Sequence, residues 1–342
     1  MNVLAALSGG VDSSVAAALL LEAGHEVTGC TLNLWGGASD TGCCSVADVD
    51  DARRVAQQLA IDHFVFAFGE DFEAGVVAPY VAAHRAGRTP NPCVECNRTV
   101  KFDRLWRRAH VLGFDAVATG HHARVAHDGR AWRLRRGADR VKDQSYVLHM
   151  LGQAQLARTV LPVGELTKHE VRARAASLGL RTAAKPDSQD VCFITSAGGR
   201  RAFLTERMGL TPGRVVDRAG EEVGSVPALE LVTVGQRRGL GVAGGGQPRY
   251  ATCVDMATAT VTVGPAEDLL VREVTLTHLS WVAAPAEGEV AAQCSAHGPP
   301  HPATFDPTTA TVRFHRPARA VAGGQIVVLY RGEEVLGGGT AA

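Results

Sequence analysis

Two cysteines separated by two residues are the first feature of this sequence that could do chemistry. Cys93 and Cys96 lie in the string TPNPCVECN at residues 89–97. Its two prolines predict a rigid, extended segment that is not helical. A basic helical stretch begins directly after Cys96. Because positive charge and helix N–H groups favour thiolate over thiol, we predict that the pKa of the Cys96 thiol is lowered.

A structural zinc site is the main alternative for this pair. Zinc needs four ligands, and the adjacent residues Cys43 and Cys44 have the wrong spacing to complete such a site. A third cysteine, Cys192, lies in the string DSQDVCFI at residues 187–194 and would by itself be a typical buried core thiol. Beside TPNPCVECN it becomes a candidate for reactive sulfur. For the remaining five cysteines packing is the default role: Cys30, Cys43, Cys44, Cys253 and Cys294.

A second feature, the string SGGVDSS at residues 8–14, could bind phosphate. It follows a short apolar run and opens a helical one. Two adjacent glycines let the backbone approach an anion, and a helix start offers N–H groups and a positive dipole end. Ser8 and Ser13 add hydroxyl donors, whereas Asp12 would repel a bare phosphate, so we expect it to engage a metal ion or orient the loop. The string is not a Walker loop, because no Gly-Lys-Ser/Thr follows.

The elements that must position these residues change in character along the chain. Over the first 120 residues, strand-like and helical patterns alternate, which predicts a doubly wound parallel sheet with helices on both faces. Asp128-Gly129 between two short alternating runs predicts a hairpin. From about residue 213 onward, short strand-like runs are separated by Gly and Pro turns. We predict an α/β catalytic domain over 1–202, a small β-rich central domain over 203–267 and a C-terminal β-barrel-like domain over 268–342.

Composition limits the classes to which this protein can belong. The chain has 342 residues, of which 46% are hydrophobic, so a disordered chain is excluded and two or three domains are expected. The start of the sequence has no basic n-region, and its apolar run is too short to span a membrane. We therefore expect a cytoplasmic protein without a membrane partner.

Charge is balanced in total but not along the chain. Lys plus Arg and Asp plus Glu each number 35, which at face value argues against a nucleic-acid binder. However, residues 1–84 hold 2 basic and 11 acidic residues, and residues 85–142 hold 14 basic and 5 acidic residues. This basic block, residues 85–142, is compatible both with segregated solvated faces and with one anion-facing surface.

The full SGGVDSS string, at a strand-to-helix turn, resembles the PP-loop ATP pyrophosphatase superfamily. Members cleave ATP between the α and β phosphates and transfer AMP to a carbonyl-type oxygen. The resemblance implies ATP, usually with Mg²⁺, and an adenylated intermediate. The string ATGHH at residues 118–122 resembles the second nucleotide-contacting turn of these enzymes. The ATP-binding residues that the resemblance implies are Ala6, Leu7, Ser8, Gly9, Gly10, Val11, Asp12, Ser13, Leu32 and Gly120.

Along nearly its whole length, the chain resembles the tRNA-specific 2-thiouridylases, the bacterial family called MnmA. The matching strings, besides those above, are AGRTPNP (86–92), KDQSY (142–146), PVGEL (162–166), GQRRGLG (235–241), GGQ (323–325) and LGGG (336–339). The resemblance implies a sulfurtransferase in which ATP adenylates the C2 oxygen of the wobble uridine, position 34 of tRNA. A persulfide on Cys192, loaded by an upstream donor protein, would supply the sulfur. Cys96 would attack that persulfide and leave a transient Cys96–Cys192 disulfide, which a reductant must reset.

The same resemblance implies how tRNA is held. Asn91, Pro92 and Cys93 would contact the target base, and Lys142, Asp143 and Gln144 would contact the tRNA, with His121 and Gln325 nearby. A wobble uridine lies in a single-stranded loop and can be splayed into a pocket. Most of these residues lie in the basic block, which supports the anion-facing interpretation of its charge. For the arginines of the predicted hairpin, a solvated face is the equal alternative: Arg130, Arg133, Arg135 and Arg136.

Departures from the family pattern leave alternatives open. Some members have an acid where Cys93 stands, so an acid–base role at this position is weakened. Cys93, Cys96 and Cys192 could together hold an iron–sulfur cluster with one open iron site, which would replace the persulfide. Ser295-Ala296-His297 stands where the family often has Arg-Tyr-Arg, so the tRNA contact expected there is in doubt. The other functions to consider are a different PP-loop adenylating ligase and a non-catalytic RNA-binding module.

Overall fold

The computed structural model describes residues 1–34, 45–187, 191–194, 198–243 and 246–342. Several residues singled out above lie outside the described residues: Cys43, Cys44, Ser188, Gln189 and Asp190. Gly244 and Gly245 also lie outside them.

Strands and helices follow one another in three blocks along the chain. In chain order the strands are β1 (Asn2–Ala6), β2 (Glu26–Asn33), β3 (His63–Ala67), β4 (Ala116–Ala118), β5 (Ala123–His127), β6 (Trp132–Arg136), β7 (Thr159–Val160), β8 (Gly213–Val216), β9 (Glu222–Val226), β10 (Tyr250–Asp255), β11 (Thr260–Gly264), β12 (Leu270–Trp281), β13 (Gly288–Gln293), β14 (His301–Asp306), β15 (Thr311–Arg319), β16 (Ile326–Arg331) and β17 (Glu334–Ala341). The α-helices are α1 (Val11–Glu22), α2 (Val46–Gln58), α3 (Gly69–Phe72), α4 (Ala78–Arg85), α5 (Pro92–Glu95), α6 (Leu105–Val111), α7 (Gln153–Leu156), α8 (Lys168–Ser177) and α9 (Gly199–Thr205). Wider π-helical turns join α3 to α4 (Glu73–Val77) and α5 to α6 (Cys96–Arg104).

The first block forms a parallel five-stranded sheet in the order β3-β2-β1-β4-β7. Its central strand β1 is apolar on both faces, and Val3 and Leu4 are completely buried. Such a strand must be covered on both sides, and separate cores form above and below the sheet, one around Leu4 and one around Val3. The predicted doubly wound parallel sheet is therefore confirmed.

The segment after Pro90 differs from the extended structure that its prolines predict. Helix α5 begins at Pro92 and runs through the π-helical turn into α6, so Cys93 and Cys96 lie within a continuous helix. Proline is tolerated at the first helical position because no N–H is needed there. Asn91 caps this helix, since its Oδ1 accepts hydrogen bonds from the N–H groups of Cys93 (3.1 Å) and Val94 (3.3 Å).

The second block is a small β module with its own core. Its four strands pair in the order β10-β11-β8-β9, and residues such as Val215, Leu229 and Val261 are completely buried between them. Helix α9 precedes this sheet, and its residues Phe203 and Leu204 pack into the core of the first block. The domain boundary expected at residues 202 and 203 thus falls inside α9.

The third block is a closed barrel of six strands. Pairing runs β12-β15-β14-β13-β16-β17 and returns to β12 through the β12–β17 contact. The predicted hairpin at Asp128-Gly129 is present as β5 and β6, and β6 pairs with β17, so the hairpin extends the barrel sheet. Among the described residues, no helix has the length and apolar character needed to cross a membrane.

Candidate active site

The phosphate loop lies between the carboxyl end of β1 and the start of α1. Gly9 has φ +71°, a conformation that only glycine adopts freely, and its Cα faces the backbone of Asp48 at the start of α2. The hydroxyl of Ser13 accepts a hydrogen bond from the N–H of Ser8 (3.2 Å) and donates to the carbonyl of Gly10 (3.1 Å). Hydrogen bonds of its own side chains therefore fix the conformation of the loop. The N–H groups in the first turn of α1 can then bind an anion.

Gly120 brings the second predicted nucleotide-contacting turn against this loop. Strand β4 pairs with β1, so the two turns meet at the same edge of the sheet. A Cβ atom on Gly120 would lie only 2.5 Å from the backbone nitrogen of Ser13 and 2.7 Å from the carbonyl carbon of Asp12. Only glycine permits this approach, and both turns consequently border one site.

Asp12 is the most strongly engaged side chain of the loop. Nζ of Lys168 donates to both of its carboxylate oxygens at 2.8 and 2.7 Å, and Nε2 of the buried His122 lies 3.1 Å from Oδ1. Burial raises the pKa of Asp12, but the hydrogen bonds and charge of His122 and Lys168 outweigh it and hold the pKa below its ordinary value. Of the two roles expected for Asp12, this geometry favours orientation of the loop.

Lys168 also reaches the segment that leads to Cys192. Its Nζ lies 2.9 Å from Oδ1 of Asp187, and Asp187 in turn pairs with Lys142 (2.8 Å) and Arg172 (2.6 Å). Burial raises the pKa of Asp187, but these lysines lower it by more, so the carboxylate stays ionised. The ammonium group of Lys168 thus bridges the phosphate loop and the thiol-bearing segment.

The three candidate cysteines converge on one region. Cys96 is buried in the core beneath the sheet, and Cys192 packs against the same core. The backbone N–H of Val191 donates to Sγ of Cys93 at 3.5 Å, which holds the residue before Cys192 against the first turn of α5. Phe193, directly after Cys192, is locked in an aromatic cluster with Phe72, Tyr80 and Phe203 at centroid distances of 5.0 to 5.6 Å.

A metal centre is one of the alternatives for the cysteine region. Over the described part of the chain, no group of three or more His, Cys, Asp or Glu side chains is placed to hold a metal ion. Of the cysteines expected to pack, Cys30 is completely buried, but Cys253 is exposed on β10, so packing does not explain it.

The residues expected at the target base border the same region. Pro92 is buried, and the side-chain oxygen of Asn91 is used as a helix cap. Cys93 is partly buried. Their positions are set by this cap and by the packing of α5.

The residues expected to contact tRNA differ in exposure. The ammonium of Lys142 is partly exposed and pairs with Asp187. Asp143 is almost completely buried, where it accepts hydrogen bonds from Gly137, Ser145 and Arg136. Oε1 of Gln144 accepts from the N–H of His122 at 2.9 Å. In this geometry Asp143 and Gln144 shape the loop and the neighbouring turn, and Lys142 is the member with an accessible charge.

His121 and Gln325 connect distant parts of the chain. His121 is buried, with Nδ1 2.7 Å from the hydroxyl of Thr119. Nε2 of Gln325, in the barrel, donates to the carbonyl of Thr89 at 2.6 Å, and the N–H of Thr89 donates to the carbonyl of Gly323 at 2.8 Å. The GGQ string therefore holds Thr89, the residue directly before Pro90, by two hydrogen bonds.

Much of the positive charge in the basic block is neutralised within the chain. Arg136 is largely buried, where it pairs with Asp143 and lies 3.6 Å from the ring centroid of Tyr330. Arg133 pairs with Asp128 and Glu334. Arg130 and Arg135 are exposed. Ser295 and Ala296 lie beside this group, because Gln293 donates to both of their carbonyls and accepts from Arg136.

Lys168 is the site residue that the sequence did not identify, whereas His122 and Asp187 lie within the strings ATGHH and DSQDVCFI without a role assigned to them. Lys168 connects the phosphate loop to the thiol segment, yet it belongs to no charged motif of known spacing. Lys168 begins α8, and the T-x-x-E capping box of Thr167 and Glu170 marks that helix start in the sequence. Its contact with Asp12, 156 residues away, depends on the tertiary fold.

Family models match almost the entire chain. Residues 1–196 match a model described as the tRNA methyl transferase HUP domain, residues 201–265 match its PRC-barrel domain, and residues 271–341 match an aminomethyltransferase beta-barrel domain.

Individual relatives are similar over their full length. The chain is 48% identical over 354 residues to a protein of Chloroflexus aurantiacus named tRNA-specific 2-thiouridylase MnmA, covering 100% of this chain and 98% of the relative. It is 47% identical over 359 residues to the protein of the same name from Mycolicibacterium paratuberculosis, covering 100% and 99%. Among solved structures, NMN synthetase from Francisella tularensis is 21% identical, with a TM-score of 0.34 and coverage of 55% of this chain and 66% of that one.

Proposed function

The chain belongs to the family of tRNA-specific 2-thiouridylases, and from this premise we propose that it replaces the C2 oxygen of the wobble uridine of tRNA with sulfur at the expense of ATP. The observation that carries the proposal is the bridge through Lys168. It joins the nucleotide-binding loop, through Asp12, to the segment that bears Cys192, through Asp187. An enzyme that must adenylate a base and then deliver sulfur to the same carbon needs these two parts side by side.

Adenylation uses the loop end of the site. The N-terminal turn of α1 and the serine hydroxyls would bind the phosphates of ATP, and the turn that contains Gly120 would contact the nucleoside. Mg²⁺ would enter with ATP as the MgATP substrate, coordinated mainly by phosphate oxygens and water. The uridine O2 attacks the α-phosphorus, and the bond to the β-phosphate oxygen breaks to release pyrophosphate. Oxygen on C2, otherwise a poor leaving group, can then leave as AMP.

Sulfur transfer uses the cysteine end of the site. The terminal sulfur of a Cys192 persulfide attacks C2, and AMP leaves with the former carbonyl oxygen. The Cys96 thiolate attacks Sγ of Cys192, and the bond between Sγ and the transferred sulfur breaks, with its electron pair staying on the sulfur now bound to C2. A Cys96–Cys192 disulfide remains, and an external dithiol restores both cysteines by a two-electron reduction.

Partners follow from this chemistry. The substrate is the anticodon loop of tRNA, where a single-stranded base can be splayed into a pocket. A persulfide-bearing donor protein must load Cys192, because nothing in the reaction generates sulfane sulfur. With tRNA as its substrate, we expect the protein to act in the cytoplasm.

The test combines purified protein, MgATP, a persulfide donor and unmodified tRNA, followed by digestion of the RNA and quantification of 2-thiouridine and AMP. Wild-type protein should form both. Cys192→Ser should abolish 2-thiouridine, and Cys96→Ser should stop turnover before free thiolated tRNA accumulates. Cys253→Ser, at an exposed cysteine on β10, is the matched control and should behave as wild type.

Each alternative has a distinct outcome in the same assay. Undiminished 2-thiouridine from Cys192→Ser would overturn the persulfide role of that residue. Stoichiometric iron in active, anaerobically purified protein would favour a cluster in place of the persulfide. AMP formed with an amine acceptor and no thiolation would indicate another adenylating ligase. Tight tRNA binding without ATP turnover would indicate a non-catalytic module.

A further inference from the structure

The GQRRGLG string forms an exposed loop that carries two adjacent arginines. We call residues 233–240 the arginine loop. Arg237 and Arg238 are both exposed, and neither forms an ion pair with any residue in the described part of the chain. This distinguishes them from several arginines of the basic block, such as Arg133 and Arg136, which are neutralised by neighbouring carboxylates.

The arginine loop is fixed by hydrogen bonds at its base. The N–H of Gly235 donates to the carbonyl of Ala251 at 2.7 Å, and the N–H of Ala251 donates to the carbonyl of Gln236 at 2.9 Å. The Gln236 side chain accepts from the N–H of Thr233 (3.1 Å) and donates to the carbonyl of Arg238 (2.8 Å). The two guanidinium groups are thus presented from a preformed backbone, which lowers the entropic cost of binding a ligand.

Both ends of the loop are anchored in the core of the central module. Val232 and Leu240 are buried there. Gly241, with φ +64°, lies so close to the carbonyl of Ser225 that no Cβ could be accommodated. Close packing and turn conformation explain the glycines of the string, but no ion pair among the described residues accounts for its two arginines.

The loop lies next to the segment that leads to the catalytic cysteines. The hydroxyl of Thr89 donates to the hydroxyl of Thr233 at 3.3 Å, and Thr89 directly precedes the TPNPC prolines. Arg319 of the barrel donates to the carbonyl of Gly235 at 2.7 Å. Its exposed guanidinium and that of Arg88, both without an ion pair among the described residues, add positive charge on either side of the loop.

We propose that the arginine loop binds the phosphate backbone of the tRNA beside the uridine that is modified. The proposal rests on the proposed function, since it assigns a contact to the same substrate. Arginine without an internal partner retains its charge for an external anion, and its planar fork matches phosphate oxygens. A polyanion that passes Thr89 to reach Cys93 and Cys96 would meet these guanidinium groups first.

The test measures tRNA affinity against salt concentration for wild type and for the double variant Arg237→Gln/Arg238→Gln. Each phosphate contact contributes about 0.9 to the slope of log K against log salt, so the slope should fall in magnitude by about 2. Between 50 and 200 mM salt, wild type should therefore lose about tenfold more affinity than the double variant. Thermal melting of each variant establishes that it is folded.

Arg53→Gln/Arg54→Gln is the matched control, because these adjacent arginines are exposed on α2 in the acidic part of the sequence. Its slope should equal that of wild type. A wild-type slope in the Arg237→Gln/Arg238→Gln double variant would overturn the proposal. This conclusion would stand even if that variant accepted sulfur poorly from the donor protein. Failure of the proposed function is separate: wild type would then form no 2-thiouridine, whatever the slopes are.

Discussion

Nζ of Lys168 lies 2.7 Å from Oδ2 of Asp12, although 156 residues separate them in the chain. The lysine side chain is only 12% exposed, so solvent and salt screen its attraction to the carboxylate less than they screen a surface ion pair. Lys168 begins α8 and Asp12 lies in the first turn of α1, so this contact fixes one helix start against another. The phosphate loop is held in place from outside its own sequence.

Replacement of Lys168 with methionine should lower the free energy of unfolding by about 1–3 kcal/mol, because two carboxylates lose a charged hydrogen-bond donor. AMP formation from ATP and tRNA should fall at least tenfold, because Asp12 and Asp187 are no longer held together. Arg174→Met, on the same helix at a surface pair with Glu22, should change the free energy of unfolding by less than about 1 kcal/mol. Chemical denaturation and the AMP assay check both. A wild-type AMP rate in Lys168→Met would limit the lysine to a structural role.

Gly120→Ala should weaken ATP binding at least tenfold. The new Cβ would approach the Ser13 nitrogen to 2.5 Å, so one of the two turns must move away from the nucleotide site. Overpacking of this kind also costs about 1–3 kcal/mol of stability. Calorimetric titration with ATP checks the prediction. Gly209→Ala is the control, because a Cβ there meets no atom within 4 Å, and similar ATP affinity in both variants would contradict the expected clash.

Gln325→Ala should lower the turnover number for thiolation about fivefold, the equivalent of about 1 kcal/mol for one lost hydrogen bond to Thr89. The barrel would then lose this hydrogen bond to the segment before Cys93. Steady-state kinetics with varied tRNA separates this from direct contact with the RNA, which would raise KM for tRNA and leave the turnover number intact. Gln247→Ala, at an exposed glutamine of the central module, should have no effect on either parameter.

Stability should decrease as the pH falls from about 6.5 to about 4. Burial lowers the pKa of both His84 and His149 from 6.5 to about 4, with hydrogen bonds from their Nδ1 atoms to the carbonyls of Glu230 and Tyr146 opposing this shift. In that window the unfolded chain binds protons that the folded chain does not, so each histidine costs up to about 3 kcal/mol, with the loss complete below pH 4. Urea denaturation at several pH values measures the slope.

Variants at these histidines test the assignment. His84→Gln and His149→Gln should each flatten the dependence of the free energy of unfolding on pH between 6.5 and 4. His169→Gln, at an exposed position on α8, should leave the slope unchanged. An unaltered slope in both buried-site variants would mean that other groups dominate the acid sensitivity.

Local signals in the sequence determined most of the fold. The apolar runs around Val3 and Val117 become buried parallel strands, because such runs can be satisfied only between two layers of helices. Asp128 and Gly129 form the turn of the predicted hairpin, because both residue types tolerate the backbone conformation of a tight turn. A local prediction that was wrong concerns α5. Prolines indicated extended structure there, but Pro92 takes the first helical position, and the cap from Asn91 outweighs their usual effect.

The sequence by itself also determined the chemistry that the chain can carry, because SGGVDSS, the TPNPCVECN segment and Cys192 are each recognisable within a few residues. Only the tertiary structure decided how these parts are joined. Lys168, Gln325 and the arginine loop act on residues more than 140 positions away in the chain. A lysine, a glutamine or an arginine does not mark its partner by a distinctive local sequence pattern. The packing of distant strands and helices determines which residue it contacts. The balanced net charge illustrates the same limit: folding pairs some arginines with carboxylates and leaves Arg237 and Arg238 exposed in a loop that contacts the TPNPCVECN segment.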